Sequence, residues 1–461
     1  MRDGKYYSPY NRAISGISKA TGCLDPTIVD VVIKRMTSYF IENLPDHKLK
    51  PVTMSAAING IKTDDFFKRI NTSTGSGFGL IGKKGRHLPI VDEDECIREP
   101  TSEIKKMVNK MIQSYEGGIS CAPISEGLLK DEPRSRAKVE IGKVRMFYSV
   151  PLSYLVICRM FLHPLFTLIV EKSELFQCAI GINMHSSADA LFRTLSEWSP
   201  YIMEGDYSAF DQSMAFAIGH GVATVYVNLL KHFGYNSFSI QIVKGLLTDD
   251  LFPLVVILKD LFCAPGLKTS GGLGTAENNC TRNLFMKMYA WYLHPMLKEK
   301  DFFEYVMCRD YGDDLLVSVK EDVLCYFNNI YYQKVCVDVF RINYTAPDKS
   351  DKIQPYYPIK NSTFLKRSFL YREDLKRWVS PLNLDSIWRA CLWQMPSSVV
   401  SEEQQVLALY TSMLWEFFLW KPEREYNEIR SEMLQIYREN YINIEDDELP
   451  TYYQIHGRIF K

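Results

Sequence analysis

The sequence predicts an α+β chain in which short strands meet at acidic turns and long helices pack around them. In EYVMCRDYGDDLLVSVK, Glu304 to Asp310 and Leu315 to Lys320 are β-branched and apolar runs of strand length joined by Tyr311-Gly312-Asp313-Asp314, the pattern of a tight hairpin. In YIMEGDYSAFDQS, Tyr201 to Glu204 reads as a short strand with Asp206 at its end; Asp211 follows, and a long apolar helix starts near Met214. Beyond Pro381 the period turns helical over Asp385 to Trp393, Glu402 to Trp420 and Glu423 to Tyr441, which reads as a separate helical subdomain.

The other elements follow in chain order. Asp25 to Asn43 and Lys62 to Ile70 are helix-like, and NTSTGSGFGLIGKKGR is a glycine-rich loop ending in Lys83, Lys84 and Arg86. VEIGKVRMF reads as a strand or hairpin. LVICRMFLHPLFTLIV is the most apolar stretch, but Arg159, His163 and Pro164 interrupt it, so it reads as a buried helix rather than a membrane span. GLKTSGGLGTAENN leads into a helix from Thr275 to Tyr292; Val323 to Gln333 is helical, VCVDVFRI strand-like, TAPDKS a loop and FLKRSF a strand.

With 461 residues the chain can bury a large core divided into two or three subdomains, and 46% apolar with 24% charged residues argues against disorder. The net charge is −1, so a nucleic-acid partner must be held by a local basic channel rather than by a globally basic surface. The eleven cysteines form no CxxC pair or zinc-spaced cluster, and no secretory signal is visible, which suits free thiols in a reducing compartment.

Adjacent carboxylates at Asp313 and Asp314 repel each other unless a cation supplies the missing charge. Alone, such a turn is as readily an acidic tip on a solvated hairpin, and Asp206 alone is as readily a helix cap. Together they form two acidic sites that suit Mg²⁺, a hard ion held by one or two carboxylates plus phosphate and water. Lys130, Arg134, Arg136, Lys138, Lys143 and Arg145 crowd into KDEPRSRAKVEIGKVR, enough cations for a triphosphate, although Asp131, Glu132 and Glu140 are there to balance them on a solvated surface. Gly271, Gly272 and Gly274 permit close backbone approach, and Ser270, Thr275 and Asn279 offer hydrogen bonds suited to a ribose 2′-OH, the last two on one helical face.

Taken in order, KDEPRSRAKVEIGKVR, GDYSAFDQS, TSGGLGTAENN, YGDD, TAPDKS and FLKRSF resemble the motifs of a viral RNA-dependent RNA polymerase of the picornavirus-like group, and TSTG near Thr72 is similar to its template-entry motif. The resemblance implies a right-handed polymerase fold closed by fingertips. Fingers would span 1–190 and 216–268, a palm with a ferredoxin- or RRM-like antiparallel sheet 191–215 and 269–378, and a helical thumb 379–461. It implies Asp206 and Asp313, assisted by Asp314, as anchors for two Mg²⁺ ions, for which Mn²⁺ substitutes, and Lys349 as general acid. Lys130, Arg134, Lys138 and Arg145 would bind triphosphate; Asp211, Ser270, Thr275 and Asn279 the ribose; and Thr72, Ser73, Gly271, Lys366 and Arg367 RNA. The implied partners are template and primer RNA, NTPs, a protein primer and other viral replication proteins, with no transmembrane segment and a place in the host cytoplasm at membrane-bound replication complexes. Lys268-Thr269 departs from the family pattern, standing where relatives carry a more apolar pair. The competing readings are a reverse transcriptase, whose sugar gate is usually an aromatic residue where this chain offers Asp211 with Asn279, and a catalytically silent RNA-binding scaffold.

Overall fold

The computed structural model describes residues 7–17, 22–350, 352–394, 396–440 and 448–460. The chain folds into two compact units, each assembled from separated segments: Met1–Ile180, Gly205–Leu315 and Cys325–Ile353 form the first; Gly181–Glu204, Leu316–Leu324 and Gln354–Lys461 form the second.

The first unit is built around the helix Thr275–Leu293, whose residues from Asn278 to Trp291 are buried on every side. A helix buried all round normally carries apolar residues throughout. This one also buries Asn278, Asn279, Arg282, Asn283 and Lys287, and most but not all of their polar atoms find partners inside the protein. The helices Pro26–Asn43 and Phe216–His232 pack on it and on each other. Asp25 caps the former by accepting the Thr27 N–H at 2.8 Å, and Pro26 occupies its first turn, where a missing N–H costs nothing. A four-stranded sheet runs Met146–Ser149, Ile124–Leu129, Leu254–Ile257, Asp260–Cys263. Its central pair is parallel, with Ile124 opposite Leu254, and both outer pairs are antiparallel.

The apolar stretch before Glu171 forms two helices, Leu152–Phe161 and His163–Glu171, bent by 58° and almost wholly buried. Pro164 sits in the first turn of the second helix, where it starts a helix but cannot continue one. Among the described residues no single helix is long and apolar enough to cross a membrane, although this bent pair would pass on length and composition alone. Arg159 donates to the carbonyls of Ala57 and Lys68 and lies over the Phe67 ring at 5.0 Å, so the charge that interrupts the apolar run is satisfied internally.

In the second unit the strand Tyr201–Met203 pairs antiparallel with Val317–Val319 on one side and Tyr357–Pro358 on the other. The helices Leu384–Ala390, Glu402–Trp420, Glu423–Asn440 and Tyr452–Ile459 close around Leu414, Phe418, Tyr426, Leu449 and Ile455. Ser401 with Gln404 and Thr451 with Gln454 form capping boxes at two of their starts.

Several expectations from the sequence are corrected. Lys62 to Ile70 is a run of turns, and the helix lies earlier, over Met54–Asn59 behind a Thr53 cap. The run from Glu304 begins as a short helix, Phe302–Tyr305, before the strand Val306–Cys308, because Asp301 accepts the Phe303 N–H and starts a helical turn. The strand after the acidic turn is shorter than expected, Val317–Val319. The helix expected over Val323 to Gln333 begins only at Asn329, and VCVDVFRI is no strand: Asn329–Val335 continues as a π-helical turn, Cys336–Phe340. There Cys336 and Phe340, four apart, are buried while Val337 is exposed, so helical spacing prevails over β-branched propensity. VEIGKVRMF is no hairpin: it begins in the last residues of the helix Arg136–Glu140 and turns before the strand Met146–Ser149. Tyr441, expected in the penultimate helix, lies outside the described residues.

Candidate active site

Two short segments of the first unit carry the acidic residues. Asp206–Tyr207 is a two-residue strand, separate from Tyr201–Met203, paired with Tyr344–Thr345 so that Thr345 faces Asp206. The second segment is a tight turn closed by Tyr311 N–H to Asp314 O at 2.8 Å and Asp314 N–H to Tyr311 O at 3.2 Å. Gly312 has a φ of +67°, a left-handed conformation that a side chain would strain. Asp313 and Asp314 are exposed at its tip.

Desolvation of its carboxylate raises the pKa of Asp313 above the usual range; the negative charges of Asp211 and Asp206 push the same way, and Arg145 opposes them. Three other predicted residues thus act electrostatically on Asp313. Asp211 lies in the short helix Phe210–Ser213, and its Oδ1 accepts from Asn279 Nδ2 at 2.6 Å, joining two predicted ribose residues. The Asn279 Oδ1 is buried and accepts no hydrogen bond. Lys349, at a φ of +64° on the loop after Tyr344–Thr345, places Nζ 2.9 Å from Asp206 Oδ2 while remaining largely exposed.

The oxygen-only donors Asp206 and Asp313 suit a divalent cation, because the charges that raise Asp313 are those a cation would neutralise. Among the described residues no group of three or more His, Cys, Asp or Glu side chains forms a ready cage.

The cationic stretch is organised by a residue that the sequence suggested only as a counter-charge. Glu132 receives Arg134 in a short ion pair, Lys130 at 3.3 Å and Arg145 at 3.8 Å. Burial would raise its pKa, but the Lys130 hydrogen bond and the charges of Arg145 and Arg134 lower it overall. The Lys130 N–H also donates to the Arg145 carbonyl at 2.8 Å. Lys138 is exposed on the helix Arg136–Glu140, so the cations do not line one strand face as expected.

Ser270 Oγ accepts the Tyr148 N–H at 3.3 Å, and Thr275 Oγ1 donates to the Gly272 carbonyl at 3.1 Å, so both brace the loop in this state. At Gly271 a Cβ would fall 2.1 Å from the Tyr148 carbonyl oxygen, so protein backbone already demands glycine there. Lys268 is buried and ion-paired to Asp250 at 2.7 Å, and its N–H donates to the Asp211 carbonyl at 3.0 Å. Thr72 and Ser73 lie in the glycine-rich loop, where the Ser73 hydroxyl donates to Asn71 Oδ1 at 2.7 Å.

Lys366 and Arg367 belong to the second unit. Lys366 is exposed at the turn between Thr363–Phe364 and Arg367–Ser368. Arg367 forks onto Glu416 at 2.8 and 2.5 Å and donates to the Ser380 carbonyl, its side chain only 13% exposed, so its charge is committed inside the protein rather than presented to RNA.

A family model described as viral RNA-dependent RNA polymerase matches residues 3–233 and 278–435, most of the chain. The chain belongs to that family. The chain is 25% identical over 426 residues to the replicase polyprotein of Drosophila C virus (strain EB), covering 88% of this chain and 24% of that one. It is 25% identical over 460 residues to the RNA1 polyprotein of Andean potato mottle virus, covering 93% and 60% respectively. It therefore spans about a quarter of the first of these polyproteins and somewhat over half of the second. Among solved structures it resembles the Sicinivirus 3Dpol RNA dependent RNA polymerase, with a TM-score of 0.77, 16% identity and coverage of 95% of this chain and 86% of that one. The chain thus has the right-handed polymerase fold. The stretch 234–277, outside the family match, contains Ser270, Gly271 and Thr275.

Sequence reasoning missed Asn283, Lys287 and Asp310, which form a buried polar group behind the acidic turn. The available signal was an amide and a lysine four apart inside an apolar helix, with an aspartate inside an apolar run of strand length.

Proposed function

We propose that this chain copies an RNA template, adding ribonucleotides to a primer 3′ end by nucleotidyl transfer dependent on two Mg²⁺ ions, for which Mn²⁺ substitutes. The observation that carries the reading is the pair of hydrogen bonds that tie Lys349 to Asp206 and Asn279 to Asp211, with Asp313 feeling the charges of Asp206, Asp211 and Arg145. Asp206 and Asp313, with Asp314 beside them, would hold the divalent cations, which supply charge neutralisation for the attacking and leaving oxygens.

The chain's own residues do the rest. Lys130, Arg134 and Arg145, gathered on Glu132, receive the triphosphate, with Lys138 at their edge. Asp211 and Asn279 hold the ribose 2′-OH, supported by Ser270 and Thr275. Lys349 exchanges Asp206 for the departing pyrophosphate and protonates its bridging oxygen. Thr72, Ser73, Gly271 and Lys366 contact RNA.

A protein or RNA primer, other viral replication proteins and a location at host cytoplasmic membranes complete the proposal, as do the fingers, palm and thumb divisions. The test is Mg²⁺-dependent incorporation of NTP on primed homopolymer RNA, with Asp313→Asn as the inactive control. Absence of incorporation by the folded protein would leave the scaffold reading, and preference for dNTP would favour reverse transcription.

A further inference from the structure

Resting on that proposed function, a second layer of structure lies behind the acidic residues. Three side chains on one face of the helix Thr275–Leu293, at positions 280, 283 and 287, reach the segment that carries the acidic turn. Cys280 Sγ donates to the Asp310 carbonyl at 3.3 Å and accepts the Gly312 N–H at 3.1 Å. Asn283 Nδ2 donates to the Gly312 carbonyl at 3.3 Å. Lys287 Nζ bonds Asp310 Oδ2 at 2.5 Å, and both side chains are fully buried.

Asn283 also reaches the other acidic segment. Its Oδ1 accepts from Tyr207 Oη at 3.0 Å, and Tyr207 follows Asp206 directly. The same oxygen accepts from Lys287 Nζ at 3.0 Å. An ammonium can only donate, so Lys287 fixes which end of the amide is oxygen and turns the NH₂ toward Gly312. Tyr207 is oriented in turn by a 2.7 Å hydrogen bond with the Tyr332 hydroxyl. One amide thus touches the neighbour of Asp206 and the neighbour of Asp313, and a buried ion pair sets its orientation.

We propose that Asn283, oriented by the Lys287–Asp310 pair, is a positioning residue that holds Asp206-Tyr207 and Gly312-Asp313 in register, so that the two aspartates receive divalent cations together. Asp310 is tied to this task because its Oδ1 is buried and accepts no hydrogen bond, leaving Lys287 as the partner its side chain bonds. A pair placed for stability alone would not need its lysine shared with an amide that grips the catalytic turn.

The experiment uses the full chain and three variants. Tyr207→Phe removes one donor to Asn283; Asn283→Asp keeps the acceptor but loses the donor to Gly312. Lys287→Met with Asp310→Asn removes the orienting cation without leaving a buried unpaired charge. Each is checked for thermal unfolding and primed-RNA affinity. Mn²⁺ binding is then measured by electron paramagnetic resonance, and kcat and KM for NTP are measured as functions of Mg²⁺.

The double variant is expected to retain its fold and RNA affinity, bind Mn²⁺ about 10- to 100-fold more weakly and need correspondingly more Mg²⁺. Its kcat should fall at fixed Mg²⁺ while the KM for NTP changes little. Mn²⁺ affinity and kcat within about twofold of wild type in any two folded variants would overturn the inference, on the same expected scale. If wild type fails to incorporate nucleotide, the proposed function falls, and Mn²⁺ affinity still decides the positioning role.

Discussion

Glu416 offers the sharpest test of how the second unit is held together. It lies inside the helix Glu402–Trp420 at 7% exposure and accepts hydrogen bonds from both Arg367 terminal nitrogens, from His185 Nε2 at 2.9 Å and from the Leu382 N–H at 3.1 Å. Burial alone would raise its pKa; the His185 hydrogen bond and the Arg367 bonds and charge outweigh that and hold it at about 2, against an ordinary 4.5. At about 1.4 kcal/mol per pH unit, that difference contributes on the order of 3 kcal/mol near neutral pH. Removing one partner of a buried pair costs about 3 to 5 kcal/mol, which agrees.

Because the folded value is depressed, the contribution is complete above the unfolded value and is lost as pH falls from about 4.5 through about 2. Glu416→Gln should therefore cost about 3 kcal/mol at pH 7 and progressively less below about pH 4.5. Six of the seven tryptophans, including Trp415 and Trp420, lie in the second unit, so urea unfolding followed by tryptophan fluorescence reports on it. A cost under about 1 kcal/mol at pH 7, or one that is unchanged at about pH 3, would refute the reasoning. So would an unchanged stability coupled to weakened RNA binding, which would return Arg367 to a role at the surface.

Three further outcomes follow from the first unit. Asn279→Ala should narrow the NTP over dNTP preference in kcat/KM by about 10- to 100-fold, the scale of a hydrogen bond to a charged group, and an unchanged ratio would remove Asn279 from sugar selection. Lys349→Leu should slow single-turnover incorporation by about 10² to 10⁴ with RNA affinity unchanged, while Lys349→His keeps part of the rate and moves the pH profile downward; superimposable rapid-quench profiles would exclude proton donation. Binding of primed RNA should weaken steeply with salt as counterions are released, and a flat log K against log salt plot would exclude a cationic channel.

The local signals that the sequence carried well are those in which one residue's conformation decides the outcome. Gly312 marks a left-handed turn, Asp25 and Pro26 start a helix, and the period from Glu402 to Trp420 matches the helix found. The signals that misled depend on what lies across the fold. Cys336 and Phe340 are helical because both are buried on one face, which β-branched composition cannot show. Arg367 reads as a surface cation until Glu416, far along the chain, arrives beside it. Among the site residues, Asp206, Asp211 and Asp313 stood out because acidic groups near turns are conspicuous, whereas Glu132 looked like a counter-charge and acts as an organiser. Lys287 and Asp310 were hidden because a buried pair is visible only when both partners are placed.

The segmental make-up of the two units also sets an order of events during synthesis on a ribosome. Every piece of the first unit has been made once Ile353 is joined, whereas the second still lacks everything from Gln354 onward. Domains tend to fold as units, earlier-made ones first. The acidic turn and its supporting helix can therefore settle while Gly181–Glu204 and Leu316–Leu324 wait for partners not yet translated. Ile202, Met203 and Val317, all buried in the finished protein, are exposed during that interval. A chain that ended shortly after residue 353 and had left the ribosome would thus carry an assembled set of aspartates and an adhesive, unfinished second unit.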